Sequence, residues 1–176
     1  MARVPTVIRN FTLLRVGDPT VFLGIADIEL PTFTAVTMEL VGSGLAGKAD
    51  VVIPGHFSNL ATKITLHTPS NEFIDLCNFN GETLEARGII QGKDTSTGQR
   101  YATTLKVTMV IDGMKTAAPG KLSPGEKSDS NADLTVSYIA YYLDGAQVLL
   151  YDFYNYIYIV NGVNVLAADM AMLGLA

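Results

Sequence analysis

The chain has 176 residues, 12 basic against 17 acidic, and a net charge of −5. That length suits one domain, or one domain with an extended arm, and can bury a real core; the acidity argues against gripping DNA or RNA, which calls for clustered lysine and arginine, while favouring a surface past which nucleic acid slides without sticking. Charged residues make up 16% of the chain and hydrophobic ones 48%, against about 25% charged in a typical soluble domain, so the surplus apolar surface is expected to face other protein in an oligomer.

The chain opens Met-Ala-Arg-Val-Pro-Thr without the apolar core of a secretion signal. The expectation is a protein made and kept in a cytoplasm, or released without such a signal. Strands are predicted near 6–15, 20–30 and 33–40. In the second, Asp27 and Glu29 alternate onto one face. Paired carboxylates can serve acid–base chemistry; the reading here is a solvated or lumen-facing acidic strip.

Next comes Gly42-Ser43-Gly44-Leu45-Ala46-Gly47, which spells G-x-G-x-x-G. A dinucleotide site needs a helix straight after the glycines, because its N-terminus holds the pyrophosphate. The chain continues instead as Lys48-Ala49-Asp50-Val51-Val52-Ile53-Pro54-Gly55. Residues 51–53 are β-branched, and Pro54 biases Ile53 away from the helical region. The glycines are therefore read as shaping a long mobile loop over 42–56 rather than cradling a phosphate.

In 59–67, Leu60, Ile64 and Leu66 face one way and Asn59, Lys63 and His67 the other, the pattern of a half-buried antiparallel strand. A helix is predicted over 69–79, with Thr68 as cap, Pro69 at the first helical position and Asn80-Gly81 as the stop. Phe73, Leu76 and Cys77 share its apolar face. Cys77 is the single cysteine, so it forms no intrachain disulfide and no cysteine metal cluster; core packing is its expected role. His56 and His67 lack a carboxylate or cysteine at metal-ligand spacing and are read as surface residues.

Residues 82–91 and 99–112 read as a hairpin turning at 92–98. Leu105, Val107, Met109 and Ile111 fall on one face of its second strand, with Thr104, Lys106 and Thr108 opposite. The polar stretch 115–131, with two Pro-Gly pairs, is an exposed loop between strands. In 133–143, Leu134, Val136, Tyr138, Ala140 and Tyr142 share a face. The other face starts polar (Asp133, Thr135, Ser137) and turns apolar (Ile139, Tyr141, Leu143), so one end of this strand is covered on both sides. Asp144-Gly145 makes a tight turn into 147–152.

Tyrosines 151, 154, 156 and 158 and Phe153 then crowd one stretch. It has no basic residue to accompany base stacking. An outer-membrane aromatic girdle is opposed by the missing signal, and an aromatic interface strand fits better. A strand near 156–160 and a short helix at 166–173 close the chain. No apolar run approaches the ~20 residues of a membrane helix. No nucleophile elbow, P-loop or H-E-x-x-H occurs, so neither an enzyme, a cofactor nor a metal is expected.

Several short stretches in fixed order carry a resemblance. Leu30-Pro31 closes an early strand about ten residues before the Gly42, Gly44 and Gly47 loop; Gly120-Lys121 and Pro124-Gly125-Glu126 precede the Asp144-Gly145 hairpin; Ile159-Val160-Asn161-Gly162-Val163, Leu166 and Leu173-Gly174-Leu175 end the chain. In order, spacing and total length the chain resembles the major tail tube proteins of contractile-tailed phages and of R-type bacteriocin particles.

The resemblance implies one tail-tube domain over 1–176, mainly β, a β-sandwich or barrel with one flanking α-helix, and neither enzymatic activity nor cofactor. Six protomers form a ring, and rings stack into a rigid tube inside a contractile sheath. The implied partners are further copies of the chain, the sheath protein, a tape-measure protein and baseplate or terminator proteins. DNA is passing cargo only, and the chain does not insert into a membrane. The implied location is a virion tail or extracellular contractile particle, assembled in the cytoplasm of a bacterial host. The 42–56 loop would reach a neighbouring protomer or ring through Gly42, Gly44, Leu45, Gly47, Val52, Pro54 and His56, ordering on assembly. Asp27 and Glu29 are the first candidates for the lumen, and Leu30, Pro31, Gly125, Glu126, Asn161, Gly162 and Val163 are the signature positions.

Elementary physics points the same way. Joining edge strands around a ring removes the open edges of a lone sheet, and head-to-tail contacts either close into rings or run on as filaments. Two other readings stand beside this one: the tube, capsid or baseplate part of a related injection machine such as type VI secretion, and a nucleotide-binding enzyme using the glycine motif.

Overall fold

The computed structural model describes residues 3–17, 25–44 and 46–175. In chain order its elements are β1 (Arg3–Arg15), β2 (Ile25–Glu29), β3 (Ala35–Leu40), β4 (Ala49–Phe57), β5 (Ala61–Leu66), α1 (Asn71–Leu76), β6 (Glu82–Asp94), β7 (Arg100–Ala118), β8 (Ser130–Leu143), β9 (Ala146–Asp152), β10 (Ile157–Val160), β11 (Val163–Asn164) and α2 (Ala167–Leu173). The protein is mainly β, as its alternating patterns predict. Of the strand expected near 20–30, residues 25–29 form β2 and 20–24 lie outside the described residues.

Nine strands form one antiparallel sheet, in the order β1-β6-β7-β8-β9-β10-β11, with β5 also on β8 and β2 on β5. β5 pairs with the first part of β8, from Ser130 to Thr135, and β9 with the last, from Tyr138 to Leu143. β7 takes the other edge along nearly the whole strand. The sheet therefore divides at β8 into two leaves. The β2–β5 leaf lies over the long one: Ile28 and Leu30 share a cleft with Ala86 and Val107 of β6 and β7.

One part of the expected architecture is corrected here. The sheet does not close into a barrel: among the described residues β1 pairs only with β6 and β2 only with β5. β1 is also bulged twice, between Pro5 and Val7 and between Ile8 and Asn10, and bulges bend an edge strand out of simple pairing. Besides the flanking helix α1 stands α2, the short closing helix expected over 166–173.

The core lies between the leaves. Leu13, Ile64, Leu66, Leu84, Met109, Leu134 and Ile139 are fully buried there. Period-2 patterning placed these side chains correctly in β5 and β7, where Leu60, Ile64 and Leu66, and Val107, Met109 and Ile111, are buried. In β8 the phase breaks. The register against β7 jumps from Val110–Tyr138 to Ile111–Val136, leaving Ser137 unpaired. Before this bulge Ala132, Leu134 and Val136 point inward; after it Ile139 does, so the expected shared face of Leu134, Val136, Tyr138, Ala140 and Tyr142 is broken. One extra residue moves every later side chain to the other face. Ile139 and Ala140, on opposite faces, are both fully buried, which makes this end two-sided, as the sequence predicts. Asp112, skipped in β7, accepts a 2.7 Å hydrogen bond from the Ser137 hydroxyl and links the two irregular points.

α1 is shorter than expected and starts later. Ser70, not Thr68, is its cap: the Ser70 backbone is extended and its hydroxyl accepts from the Phe73 amide at 3.3 Å. The Ser70 hydroxyl also holds the Glu72 carboxyl below its ordinary range. Phe73 and Leu76 are buried in the core, and Cys77 packs half-buried against it. Burial pushes the Cys77 thiol above its ordinary value.

The expected loop over 115–131 is narrower, because β7 stays paired with β8 through Ala118. Its remaining residues, 119–129, have a fastened neck: the Pro119 carbonyl accepts from Ser128 and Ser130, at 3.0 and 2.8 Å. Asp144-Gly145 and Asn161-Gly162 both have φ positive at both residues, the tight turn whose twist matches that of a hairpin.

Removing the Ile139 side chain beyond Cβ would leave a cavity where the two faces of β8 are both packed. Ile139→Ala is expected to lower unfolding stability by about 3–4 kcal/mol, read by chemical denaturation.

Candidate functional site

β3 and β4 stand apart from the large sheet as a two-stranded arm. Thr37 pairs with Val52, Met38 with Val51, Glu39 with Asp50 and Leu40 with Ala49; at the base Ala35 pairs with Phe57. Between these two zones Val36 stands opposite Ile53, Pro54, Gly55 and His56. A bulge this wide bends a strand, and Pro54 has no N–H to give to a ladder. The arm thus has a root and a bent-off outer half.

The root is aromatic. The Phe57 ring meets Phe33, Tyr151 and Tyr158 edge-on, at centroid distances of 5.2, 5.3 and 5.0 Å, a favoured geometry for aromatic pairs. The Ser58 amide donates to the Thr34 carbonyl at 2.8 Å and closes the base. Gly55, at φ +70°, lies so close to buried Leu166 that a Cβ there would fall 2.4 Å from a Leu166 methyl carbon. Only glycine fits both that backbone and that space. The His56 Nε2 and the Tyr156 hydroxyl are 3.3 Å apart.

Beyond the root the arm is bare. Residues directly opposite in an antiparallel pair share a face, so Met38, Leu40, Ala49 and Val51 make one wholly apolar side. Met38, Leu40 and Val51 are exposed, Met38 by 56%. The other side carries Thr37, Val52, Glu39 and Asp50, with Lys48 Nζ 2.8 Å from a Glu39 oxygen. A small sheet normally buries one face; here that face lacks a cover among the described residues.

This revises the reading of 42–56 as one long loop. Among the described residues the non-strand part is 41–44 and 46–48, and Val52, Pro54 and His56 belong to β4. The β-branched run that argued against a helix is itself strand-forming. Gly42, Gly44 and Gly47 lie in the tip, and Leu45 lies outside the described residues. A strand begins at Ala49, where a phosphate site would require a helix.

The other predicted positions sit on separate elements. Asp27 and Glu29 point outward from β2, Glu29 with an oxygen 3.8 Å from Lys63 Nζ. Leu30 packs on the core and Pro31 is buried. Gly125 and Glu126 occupy the tip of the 119–129 loop, and Asn161-Gly162-Val163 turns β10 into β11. Of the aromatic stretch, Tyr151 and Tyr158 pack inside the chain on the arm root, while Phe153 and Tyr154 are exposed. Sequence reasoning missed Phe33 and Phe57, whose partners lie about a hundred residues away.

Further apolar side chains are open on β1 (Val4, Val7, Ile8) and on and after α2 (Met172, Leu173, Leu175). Apolar surface of this kind marks protein contacts. Among the described residues no three histidine, cysteine, aspartate or glutamate side chains group to hold a metal ion, and no helix is long and apolar enough to cross a membrane. Phe57→Ala removes the centre of the root. The expected loss is about 2 kcal/mol, below the figure for a fully buried phenylalanine, with faster amide hydrogen exchange over residues 35–57.

No curated protein matches the chain. The sequence model of one family, phage tail tube protein FII, matches residues 5–174. That family is structural, and tail tube proteins self-assemble into a tube within the virion tail. With a match over nearly its whole length, the chain belongs to the phage tail tube protein family.

Proposed function

We propose that this chain is the single-domain tube subunit of a contractile tail, assembling as stacked homohexameric rings inside a sheath and serving as a conduit for DNA or for membrane puncture. The observation that carries this reading is the arm: a rigidly rooted hairpin with a bare apolar face, projecting from a chain of the tail tube family. An arm that seats on a copy of the same chain makes a heterologous contact, and such contacts close into rings or continue as filaments. Its glycine tip, with Gly42, Gly44, Leu45 and Gly47, and the strand positions Val52, Pro54 and His56 are the inter-subunit residues of this proposal. Asp27 and Glu29, exposed on β2, are proposed for the lumen, where negative charge keeps DNA from sticking. Sheath, tape-measure, baseplate and terminator proteins are the proposed partners, and the particle is proposed to assemble in a bacterial cytoplasm.

Negative-stain electron microscopy of the purified protein over a range of concentrations is expected to show rings or hollow tubes with a stain-filled channel. A monodisperse monomer at every concentration, with baseplate components present, would sink the proposal. Gly44 has φ +91° and open space around it. Gly44→Val therefore strains only the tip, by about 1–2 kcal/mol. The variant is expected to remain a folded monomer by circular dichroism and to lose polymerisation; normal tubes would remove the tip from the assembly contact.

A further inference from the structure

The arm has an unpartnered apolar face, and elsewhere the chain has an unpartnered apolar cleft. The cleft, of about 280 Å³, opens where the sheet fails to close. Ile8 and Phe11 of β1 border it, with Ile28 and Leu30 from β2 and its exit, and Leu105 and Val107 of β7. Ile8 is 55% exposed. Among the described residues β1 pairs only with β6 and β2 only with β5, which leaves a strand edge open on either side. Free edges are templates for another strand, and both strands of the arm have a free edge of their own.

Resting on the tube-subunit reading, we propose that this cleft is the receiving site for the arm of a second copy of the chain. Met38, Leu40 and Val51 would lie over Ile8, Phe11 and Leu105. The cleft itself holds one charge of each sign, Asp27 and Arg87, and the flanking strand β1 adds positive charge. β1 carries Arg3, Arg9 and Arg15 and no acidic residue, while the arm carries Glu39 and Asp50, with its one cation, Lys48, tied to Glu39. Arg9 is the residue extruded by the second bulge of β1. Neither Arg9 nor Asp50 forms an ion pair among the described residues. Arg9 is thus the natural partner of an incoming Asp50.

The occupant is another copy for two reasons. Among the described residues none of the arm borders the cleft, and the aromatic root holds the arm against β9 and β10. The apolar face of the arm and the cleft are therefore two different patches, although Leu30 of the cleft lies only five residues before β3. The contact is heterologous and can repeat around a ring or along a stack.

A cross-link tests this in the full chain. In a Cys77→Ser background, Met38→Cys and Ile8→Cys are made as separate proteins, mixed in equal amounts, assembled and mildly oxidised. The expected result is a dimer-sized band on a non-reducing gel, abundant in the mixture, weak with either protein alone and lost on reduction. Tubes that form without this band would overturn the proposal and leave the tube reading standing. A disulfide within one dilute, unassembled chain carrying both cysteines would assign the cleft to its own arm and overturn it equally. If the Cys77→Ser parent makes neither ring nor tube, as judged by microscopy, the tube reading fails and the receiving site with it. A charge exchange checks the same contact with Cys77 in place. Arg9→Glu or Asp50→Arg alone should weaken assembly roughly fivefold, and the two together should restore it. A double variant no better than either single one would overturn the pairing.

Discussion

Two strands compete for one edge of β8. β5 holds the first part of that edge and β9 the second, and a strand edge has one row of donors and acceptors to share. The sheet must therefore part at the changeover, near Val136 and Ser137, and the bulge sits there. Because it parts, one leaf can lie over the other and enclose a core without a second sheet. The same parting sends the β2–β5 leaf toward β1 without pairing with it, so among the described residues two edges are left unpaired. Core, cleft and open edges all follow from how β8 is divided.

The aromatic root follows as well. Where β9 leaves the shared edge, Tyr151 turns inward and is buried. Tyr158, opposite it on β10, completes a surface on which Phe33 and Phe57 settle. The arm is thus fixed at its base by rings from distant parts of the chain, while its outer half depends on few contacts of its own. Segments with few buried contacts occupy the low end of local stability, and such a segment gains most from a partner that covers it. A monomer that finishes its core yet leaves one strip of apolar surface for the next copy folds first and assembles second.

How much of this was legible in the sequence depended on whether a segment has one buried face or two. β5 and β7 each bury one face, so alternation in 59–67 and 104–112 located Ile64, Leu66, Val107 and Met109 correctly. The far end of β8 buries both, and with apolar residues on each side nothing in the pattern marks the extra residue Ser137. The cap of α1 was misplaced by two residues because Thr68-Pro69-Ser70 offers two hydroxyls, and the proline rule favoured the first. The Asp144-Gly145 turn was read from its dipeptide. Asn161-Gly162 is an equally clear turn signal by the same dipeptide rule. The arm was half visible: Val51, Val52 and Ile53 excluded a helix, but the same residues form a strand whose pairing with Met38 needs the register. The root had no local signal, since Phe33 and Phe57 meet Tyr151 and Tyr158 only in three dimensions. Closure of a barrel belongs to the same class, being a property of edges rather than of strands.

The fastened neck of the 119–129 loop has one more consequence. Ser128 and Ser130 bind the Pro119 carbonyl, and the Ser128 amide is held by the His67 carbonyl at 2.8 Å. The sheet therefore senses the neck and not the tip, where Leu122 is almost fully exposed. The cost of closing a flexible loop grows only with the logarithm of its length, about 0.6 kcal/mol for each doubling. Residues 122–127, beyond the Lys121 amide that the Ser128 carbonyl holds at 3.0 Å, thus form a graft point: foreign peptide spliced there would be carried on each subunit at nearly constant stability of the fold.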